Sequence, residues 1–240
     1  ADTAAQYMKA DFFNPAAAYS AAVEVERNIN SARARLANAI HAQSDEIIYT
    51  SGGTESNNTA VFGALRARRG GGRIIVGATE HPSVYEAAMS MKGPYVINEA
   101  RVDKTGAYDV NMLAQSIAND VAFVSLMQVN NETGAINDIP AIYKAVKQRA
   151  PMAIMHVDGV QGFLKVPFDA RYCDMYSISG HKFHAPKGVG ALYVKRGTRF
   201  AGGQIGGGQE RNLRSGTTNT PGIMGMDAAI GYYAENIDDI

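Results

Sequence analysis

Hydrophobic residues along the chain follow two spacings, which separate predicted strands from predicted helices. Residues 121–129 are apolar at nearly every position, as is typical of a strand that is buried on both faces of a sheet. In residues 59–68 and in the Ala-rich segment 16–40, apolar positions recur at helical spacing. The first pattern predicts a central strand, and the second predicts amphipathic helices.

The same two patterns predict an alternating series of elements along the whole chain. The predicted strands are residues 46–49, 73–77, 95–97, 121–129, 153–157, 173–178 and 189–194. The predicted helices are residues 16–40, 59–68, 83–91, 110–117, 139–149 and a last one from Pro221. Residues 1–15 are mixed and end in a predicted turn. This alternation predicts an α/β fold, with a mainly parallel sheet flanked by helices.

Polar segments follow four of the predicted strands. These segments are residues 51–58, 130–132, 158–161 and 179–182. Parallel strands place their carboxyl ends at one edge of the sheet, and ligands bind at that edge in such folds. Any one of the segments is also compatible with an ordinary surface loop, so the prediction of a site depends on their convergence.

Composition limits the classes of partner that the chain can have. Hydrophobic residues make up 46% of it and charged residues 19%, which fits a soluble globular protein with a core. A formal net charge of zero argues against a nucleic-acid or membrane-surface partner found by bulk electrostatics. No apolar run approaches the ~20 residues of a membrane span. The single cysteine, Cys173, excludes an intrachain disulfide and suits a reducing compartment, so we expect a cytoplasmic protein.

The sequence SGGT at residues 51–54 is a candidate phosphate-binding turn. Gly53 allows the backbone to approach a ligand closely, and Thr54 stands where the following helix offers free N–H groups. The segment matches neither the P-loop nor the dinucleotide-binding pattern. The alternative is an ordinary helix N-cap provided by Ser51 or Thr54.

Asp158 is the candidate anion of the site because it directly follows an apolar strand. Its carboxylate could hold a cationic ring nitrogen, bind a metal ion together with His156, or cap a turn. Because alternate residues of a strand point to the same face, His156 and Asp158 keep the metal alternative open.

Lys182 is the candidate nucleophile. Its apolar flanks imply partial burial, and a desolvated amine beside another cation, here His181, is expected to have a lowered pKa and to form a Schiff base. His81, before Pro82, is more commonly a helix-capping residue than a catalyst. The adjacent amides Asn130 and Asn131 are most commonly turn formers.

Taken together, these groups fit a site for pyridoxal 5'-phosphate. The turn around Thr54 would bind the phosphate, Asp158 the ring nitrogen, Lys182 the aldehyde, and an imidazole would stack on the ring. The cofactor is an electron sink only while its ring nitrogen is protonated, and a fixed carboxylate maintains that protonation.

Six motifs, in order and at characteristic spacing, resemble the class V aminotransferase family, and within it the cysteine desulfurases of the NifS/IscS type. The motifs are YTSGGTESN at 49–57, TEHPS at 79–83, VNNETG at 129–134, HVDGVQ at 156–161, SISGHKF at 177–183 and LRSGT at 213–217. They span nearly the whole chain. The resemblance implies the large domain of a fold-type-I enzyme dependent on pyridoxal phosphate.

The resemblance also implies roles for individual residues around the cofactor ring. Lys182 would bind the aldehyde covalently, Asp158 would pair with the ring nitrogen, and His81 would stack on the ring. Lys182 and His81 are thus the implied catalytic residues. Asn131 and Gln161 would contact the side of the ring that carries the phenolic oxygen.

Other residues are implied to hold the phosphate. Within one chain these are Thr54, Ser179 and His181, next to Gly53. Thr217 would reach the phosphate of a neighbouring subunit, which implies a homodimer with shared sites.

Two features of the family are not found in this chain. One is its initial strand with an Asn-Ala-Ala-Thr-like segment. The other is its small C-terminal domain, which carries the persulfide-forming cysteine and the arginine that binds the substrate carboxylate. Cys173 and Arg214 do not match those two residues. We therefore expect a cofactor-binding domain over residues 1–222, the start of an interdomain helix over 223–240, and a truncated chain.

The functional hypothesis is a cysteine desulfurase that converts L-cysteine into L-alanine and passes the sulfur to an enzyme thiol as a persulfide. The sulfur would serve iron–sulfur cluster or thiocofactor assembly through an acceptor protein, and this chain alone would not be competent. Alternatives are another class V enzyme, such as a selenocysteine lyase or an aminotransferase, and a cofactor-free dimerisation domain. A metallohydrolase built on His156, Asp158 and His181 is a further alternative.

Overall fold

The predicted strands form one seven-stranded sheet in the computed structural model, which describes residues 1–236. The strands are β1 (Ile47–Thr50), β2 (Gly72–Gly77), β3 (Tyr95–Ala100), β4 (Val121–Met127), β5 (Ile154–Asp158), β6 (Met175–Ser179) and β7 (Gly190–Val194). Their order across the sheet is β1-β7-β6-β5-β4-β2-β3. Each of the seven strands predicted from the sequence is present.

The direction of the strands brings the polar segments to one edge. The neighbours β6, β5, β4, β2 and β3 are parallel, whereas β7 is antiparallel to both β6 and β1. Since β7 lies between them, β1 runs in the same direction as β6. All strands except β7 therefore end at the same edge, which confirms the mainly parallel α/β fold and the predicted convergence.

Helices cover both faces of the sheet. They are α1 (Asp2–Lys9), α2 (Ser20–Asn38), α3 (Gly53–Arg66), α4 (Pro82–Met89), α5 (Val110–Ser116), α6 (Ile139–Arg149) and α7 (Thr220–Asn236). Buried residues of α3 and α4 pack with Phe123 of β4, and those of α2, α6 and α7 pack with Val124. Because consecutive β4 residues face opposite layers, this strand is buried along its whole length, as its continuous apolar pattern predicted.

The start of α3 differs from the sequence-based prediction, because the helix begins at Gly53 and not near residue 59. Gly52, with φ of 145°, provides the N-cap in a conformation that favours glycine. Ser56 and Asn57 in the first turns are polar but buried, and Ser56 Oγ donates to the Ala191 carbonyl at 3.0 Å. Inward polar residues hide the helical pattern, and for this reason the predicted boundary was wrong.

Both ends of the chain add to the layer formed by α2. The helix α1, which was not predicted, packs against α7 and buries only Tyr7, too few apolar positions to give a pattern. The last helix begins one residue before the predicted Pro221, and residues 237–240 of the predicted interdomain segment lie outside the described residues. The division at residue 222 stays a prediction. Across residues 1–236, every helix is too short or too polar to cross a membrane.

The outer edge of β1 is covered by side chains from residues 202–219, which we call the strap. The carboxylate of Glu210 accepts from the backbone N–H of Tyr49 at 3.0 Å, and the Arg211 guanidinium donates to the Ile47 carbonyl at 2.8 Å. Buried Arg33 of α2 binds the same Glu210 carboxylate at 2.6 and 2.8 Å. These contacts satisfy backbone groups that an edge strand otherwise leaves unpaired.

Candidate active site

The polar segments surround one cavity of about 210 Å³ at the carboxyl edge of the sheet. Its walls are the ends of β4, β5 and β6 and the N-termini of α3 and α4. The lining residues are Gly53, Thr54, Asn57, His81, Ser83, Met127, Asn131, Asp158, Val160, Gln161, Ser179, His181 and Lys182. Every predicted site residue except Thr217 is among them.

Thr217 lies elsewhere, in the strap. It is exposed and lines a separate cavity together with Ser51 and Arg214. The structure therefore does not bring Thr217 to the cavity of its own chain. A role at a neighbouring subunit stays a prediction.

Asp158 is a buried carboxylate without an ion-pair partner in the described chain. It is the last residue of β5 and is 1% exposed. One oxygen accepts from the Asn57 amide at 2.8 Å, and the other accepts from the Val160 N–H at 2.9 Å. Burial raises the pKa of Asp158, although these two hydrogen bonds and the positive charges of His81 and Lys182 oppose that effect. Such a carboxylate would be stabilised by a cation placed in the cavity.

Asn57 is a site residue that our sequence analysis did not assign. Its amide nitrogen donates to Asp158 and also to Ser83 Oγ at 2.9 Å, while its buried Oδ1 has no partner within residues 1–236. Asn57 follows Gly53 by four residues, so the two lie on one face of α3. This spacing would have indicated Asn57 if the helix had been predicted to begin at residue 53.

The N-terminus of α3 forms the wall of the cavity next to β6. Glycine at position 52 caps the helix without any side-chain hydrogen bond, so the alternative of a cap by Ser51 or Thr54 is wrong. A Cβ atom on Gly53 would lie 2.8 Å from Val160 Cγ2. The close approach requires glycine there, and the first N–H groups of α3 remain available to an anion.

His81 caps a helix and also lines the cavity, while its catalytic role stays a prediction. It is the N-cap of α4, where its Nδ1 accepts from the backbone N–H of Ser83 at 3.1 Å. The Ser83 hydroxyl lies 2.8 Å from the same nitrogen. Because Nδ1 is an acceptor, the neutral ring carries its proton on Nε2. The imidazole also lines the cavity, with its orientation set by the helix that it caps.

Lys182 stands on the short 3-10 turn Gly180–Phe183 that follows β6. It is half-buried, and it takes part in none of the ion pairs formed within residues 1–236. Ser179 Oγ lies 3.0 Å from His181 Nδ1. Burial lowers the pKa of His181, and the charges of Lys182 and Lys187 lower it further. The turn therefore presents a free amine beside a hydroxyl and an imidazole that favours its neutral form.

His156 does not belong to the site. Its Nδ1 lies 2.7 Å from Ser125 Oγ and its Nε2 lies 2.8 Å from Ser177 Oγ, so both ring nitrogens have partners. Burial lowers the pKa of His156 to about 3. Among the described residues, no group of three or more His, Cys, Asp or Glu side chains is placed to hold a metal ion. The metallohydrolase alternative therefore has no support.

The two adjacent asparagines have separate tasks. Asn130 is buried, and its Oδ1 accepts from the backbone N–H groups of Glu132 and Thr133 at 2.9 Å each. It forms the turn after β4, as expected of an amide in that position. Asn131 is exposed to the cavity, so the turn formed by Asn130 places Asn131 at the site.

Comparison with known proteins identifies the family to which this geometry belongs. The sequence model described as "Aminotransferase class-V" matches residues 2–239. The chain belongs to the class V aminotransferase family. This confirms the resemblance that the six motifs indicated.

Individual relatives from this family are longer than the chain. A cysteine desulfurase from Nostoc sp. is 40% identical over 226 residues, which is 93% of this chain and 56% of that protein. A solved NifS-like protein is similar with a TM-score of 0.94 at 33% identity, over 99% of this chain and 66% of its own. SspA in complex with cysteine has a TM-score of 0.90 at 30% identity, over 96% and 68%. The chain thus spans little more than half of the curated relative.

Proposed function

We propose that the chain is the cofactor-binding part of a pyridoxal-phosphate-dependent cysteine desulfurase. The observation that carries the proposal is the cavity in which the amine of Lys182, the buried carboxylate of Asp158 and the free N-terminus of α3 face one another. Membership of the class V aminotransferase family and the named cysteine desulfurase relatives support the same assignment.

The residues of the cavity fit pyridoxal phosphate. Glycine at position 53 lets the start of α3 lie close to Val160 and Ser179 in the cavity wall, and Ser179 adds a hydroxyl beside the α3 N–H groups, which suit a phosphate. The buried Asp158 carboxylate has no ion-pair partner within residues 1–236, which suits a protonated ring nitrogen. Lys182 provides an amine for the aldehyde, and the imidazole of His81 provides a flat surface for the ring.

Each residue then has a physical task. When bound, the cofactor supplies an electron sink for charge that develops on the substrate. Asp158 would keep the proton on the ring nitrogen, and Asn57 would orient Asp158. Lys182 would hold the cofactor covalently and is the amine placed to move a proton at the substrate carbon. Asn131 and Gln161 would contact the ring edge.

A titration of the chain with pyridoxal phosphate tests the assignment of Lys182. We expect a visible absorption band that Lys182→Ala abolishes. Lys187→Ala is the matched control, because Lys187 is exposed five residues further along and does not line the cavity; its band should equal that of the wild type. No band with the wild type, or an equal band with Lys182→Ala, would contradict the proposal.

We further propose that L-cysteine is the substrate and that sulfur passes to a thiol outside this chain. The similarity to SspA in complex with cysteine supports the substrate. In the balanced reaction a thiol and L-cysteine give a persulfide and L-alanine, so no external oxidant is needed. Cys173 does not suit this role: it is 0% exposed, and burial raises the pKa of its thiol well above the usual value.

We therefore predict that the chain alone does not release sulfide from cysteine. The measurement is sulfide production with excess pyridoxal phosphate and a reductant, for the wild type and for Cys173→Ala. We expect neither protein to exceed free pyridoxal phosphate. Turnover that survives in Cys173→Ala would show that the chain needs no thiol of its own.

We also propose a homodimer in which Thr217 serves the site of the second subunit. Thr217 is exposed outside the cavity of its own chain, and Ile205 of the same strap is fully exposed, as expected of a segment that a second copy covers. Light scattering that gives the mass of one chain at micromolar concentration would contradict it.

A further inference from the structure

We infer that Glu80 is a neutral carboxylic acid that positions the floor of the cavity and leaves Asp158 as its anion. Glu80 immediately precedes His81, and the proposed cofactor site does not use it. It is a positioning residue, because it touches cavity residues and does not line the cavity. Its link to the cofactor depends on the proposed function, but its protonation state does not.

The surroundings of Glu80 provide no compensation for a negative charge. Oε1 accepts from the Met127 N–H at 2.6 Å and from the Tyr108 hydroxyl at 2.9 Å. Oε2 is buried and has no hydrogen-bond partner within residues 1–236. An ionised carboxylate would be a buried charge held by two neutral donors only, whereas a protonated one is an ordinary polar group.

The titratable groups next to Glu80 also favour its protonated form. These are Tyr108, from the segment before α5, and Asp158, from β5; the contact from β4 is only the backbone of Met127. Burial raises the pKa of Glu80 well above its usual value, and the charge of Asp158 raises it further, while the two hydrogen bonds to Oε1 lower it in part. Two adjacent buried carboxyls cannot both ionise cheaply.

Asp158 is the member of the pair that keeps the charge. It accepts hydrogen bonds on both oxygens, and the positive charges of Lys182 and His81 lower its pKa. Within residues 1–236 one oxygen of Glu80 has no hydrogen-bond partner, and no positive charge is among the groups that lower its pKa. The proton therefore resides on Glu80.

Glu80 connects two walls of the cavity. It lies in the turn that carries His81, and it binds the backbone of Met127, which is in register with Asp158 on the next strand. Tyr108, which donates to Glu80, is packed tightly against Gly77, since a Cβ atom on Gly77 would lie 1.9 Å from the Tyr108 hydroxyl. The neutral carboxyl thus holds His81 at a set position relative to Asp158.

The pH dependence of unfolding by urea, measured without cofactor, tests the protonation state. The folded chain keeps a proton that the unfolded chain releases above about pH 4.3, so the contribution of Glu80 to stability falls as pH rises. Glu80→Gln cannot lose this proton. Relative to Glu80→Gln, the unfolding constant of the wild type should increase by up to about tenfold per pH unit from pH 5 to pH 8. A ratio that does not depend on pH would overturn the inference.

Glu55→Gln is the control for this measurement. Burial would raise the pKa of Glu55, but hydrogen bonds from Arg214 and Ser51 outweigh burial and lower it. Glu55 is therefore ionised throughout the range. The unfolding constant of the wild type relative to that of Glu55→Gln should be constant between pH 5 and pH 8. A slope equal to that of Glu80→Gln would show that the slope does not come from Glu80.

Infrared spectroscopy gives a second, direct readout if Glu80→Gln fails to fold. We expect the carbonyl band of a protonated carboxylic acid at neutral pH in the wild type. Tyr108→Phe removes a hydrogen bond to Oε1 and should shift this band to higher frequency, which assigns it to Glu80. No such band at neutral pH would overturn the inference.

The affinity for pyridoxal phosphate tests the positioning role. Glu80→Ala should weaken it about tenfold or more, and Glu80→Gln should restore most of the loss, because Gln keeps the acceptor for Met127. Wild-type affinity in Glu80→Ala would contradict the positioning role. If the wild type itself does not bind the cofactor, the proposed function fails, while the two measurements without cofactor still decide the state of Glu80.

Discussion

The buried carboxylate of the strap, Glu210, is ion-paired, whereas that of the cavity, Asp158, has no ion-pair partner within residues 1–236. In the strap, Glu210 forms a two-point ion pair with Arg33, and Arg214 binds Glu55 at the start of α3 at 2.7 Å. In the cavity, Asp158 is held by neutral donors. A charge that is neutralised within the chain fixes local structure, whereas one that lacks a partner is available to a ligand. We therefore expect the strap ion pairs to have a structural role, and the proposed function gives the cavity charges a binding role.

The largest expected effect is on the strap. In Arg33→Met the carboxylate of Glu210 stays buried without its partner, so the free energy of unfolding should fall by about 3–5 kcal/mol, measured in urea. The double variant with Glu210→Gln should recover part of this loss, because neither charge then remains.

A surface ion pair is the control for that prediction. Arg196 and Asp45 form a pair whose side chains are 71% and 53% exposed, so Arg196→Met should cost only about 0–1 kcal/mol. Equal losses in Arg33→Met and Arg196→Met would remove the distinction between the strap and the surface.

His156 shows whether a buried titratable side chain must belong to a binding site. It lies on the same strand as Asp158 but is neutral, because burial lowers its pKa to about 3. In the unfolded chain the His156 imidazole takes up a proton below about pH 6.5, which it does not do in the folded chain until pH falls to about 3. The stability that His156 contributes is therefore present above about pH 6.5 and is lost as pH falls toward 3. Relative to His156→Gln, the wild-type unfolding constant should increase by up to about tenfold for each unit by which the pH falls between about 6.5 and 3.

The exposed His41 provides the control for His156. It adopts a left-handed backbone with φ of 58°, which Asn tolerates, so His41→Asn should fold normally. We expect its unfolding constant to keep the pH profile of the wild type. An unchanged profile in His156→Gln would mean that His156 does not contribute to acid sensitivity.

The smallest effect is expected at the cavity itself. In Asp158→Asn, a rotation of the Asn57 amide would allow its unpartnered Oδ1 to accept from the new amide. Removal of the buried charge should then stabilise the ligand-free chain by about 0.5–2 kcal/mol, as is common for groups kept for function. Thermal unfolding without cofactor measures this gain, and titration should show weaker pyridoxal phosphate binding. A less stable variant that binds as tightly as the wild type would contradict the binding role of Asp158.

The sheet could be predicted from the sequence because its strands have local patterns. Residues 121–129 are continuously apolar and contain β4, and the predicted range of α6 matches the structure at both ends. The helix α1 and the first turns of α3 were missed, since their polar and glycine residues carry no apolar period. The Arg33–Glu210 pair joins residues 177 positions apart, and no local pattern indicates it.

The candidate site was predictable for the same reason and only in part. Strand ends are local features, so Asp158 and Lys182 could be found one motif at a time. Asn57 and Glu80 required the helix boundary and the packing between β4 and the turn before α4. Thr217 was predicted by resemblance, and its place in the strap depends on long-range pairs.

The most direct test of the central claim is a peptide map of the chain after incubation with pyridoxal phosphate and reduction with borohydride. We expect a single stoichiometric adduct on Lys182, and none on this peptide in Lys182→Ala. An adduct spread over exposed lysines such as Lys187, with Lys182 unmodified, would contradict it.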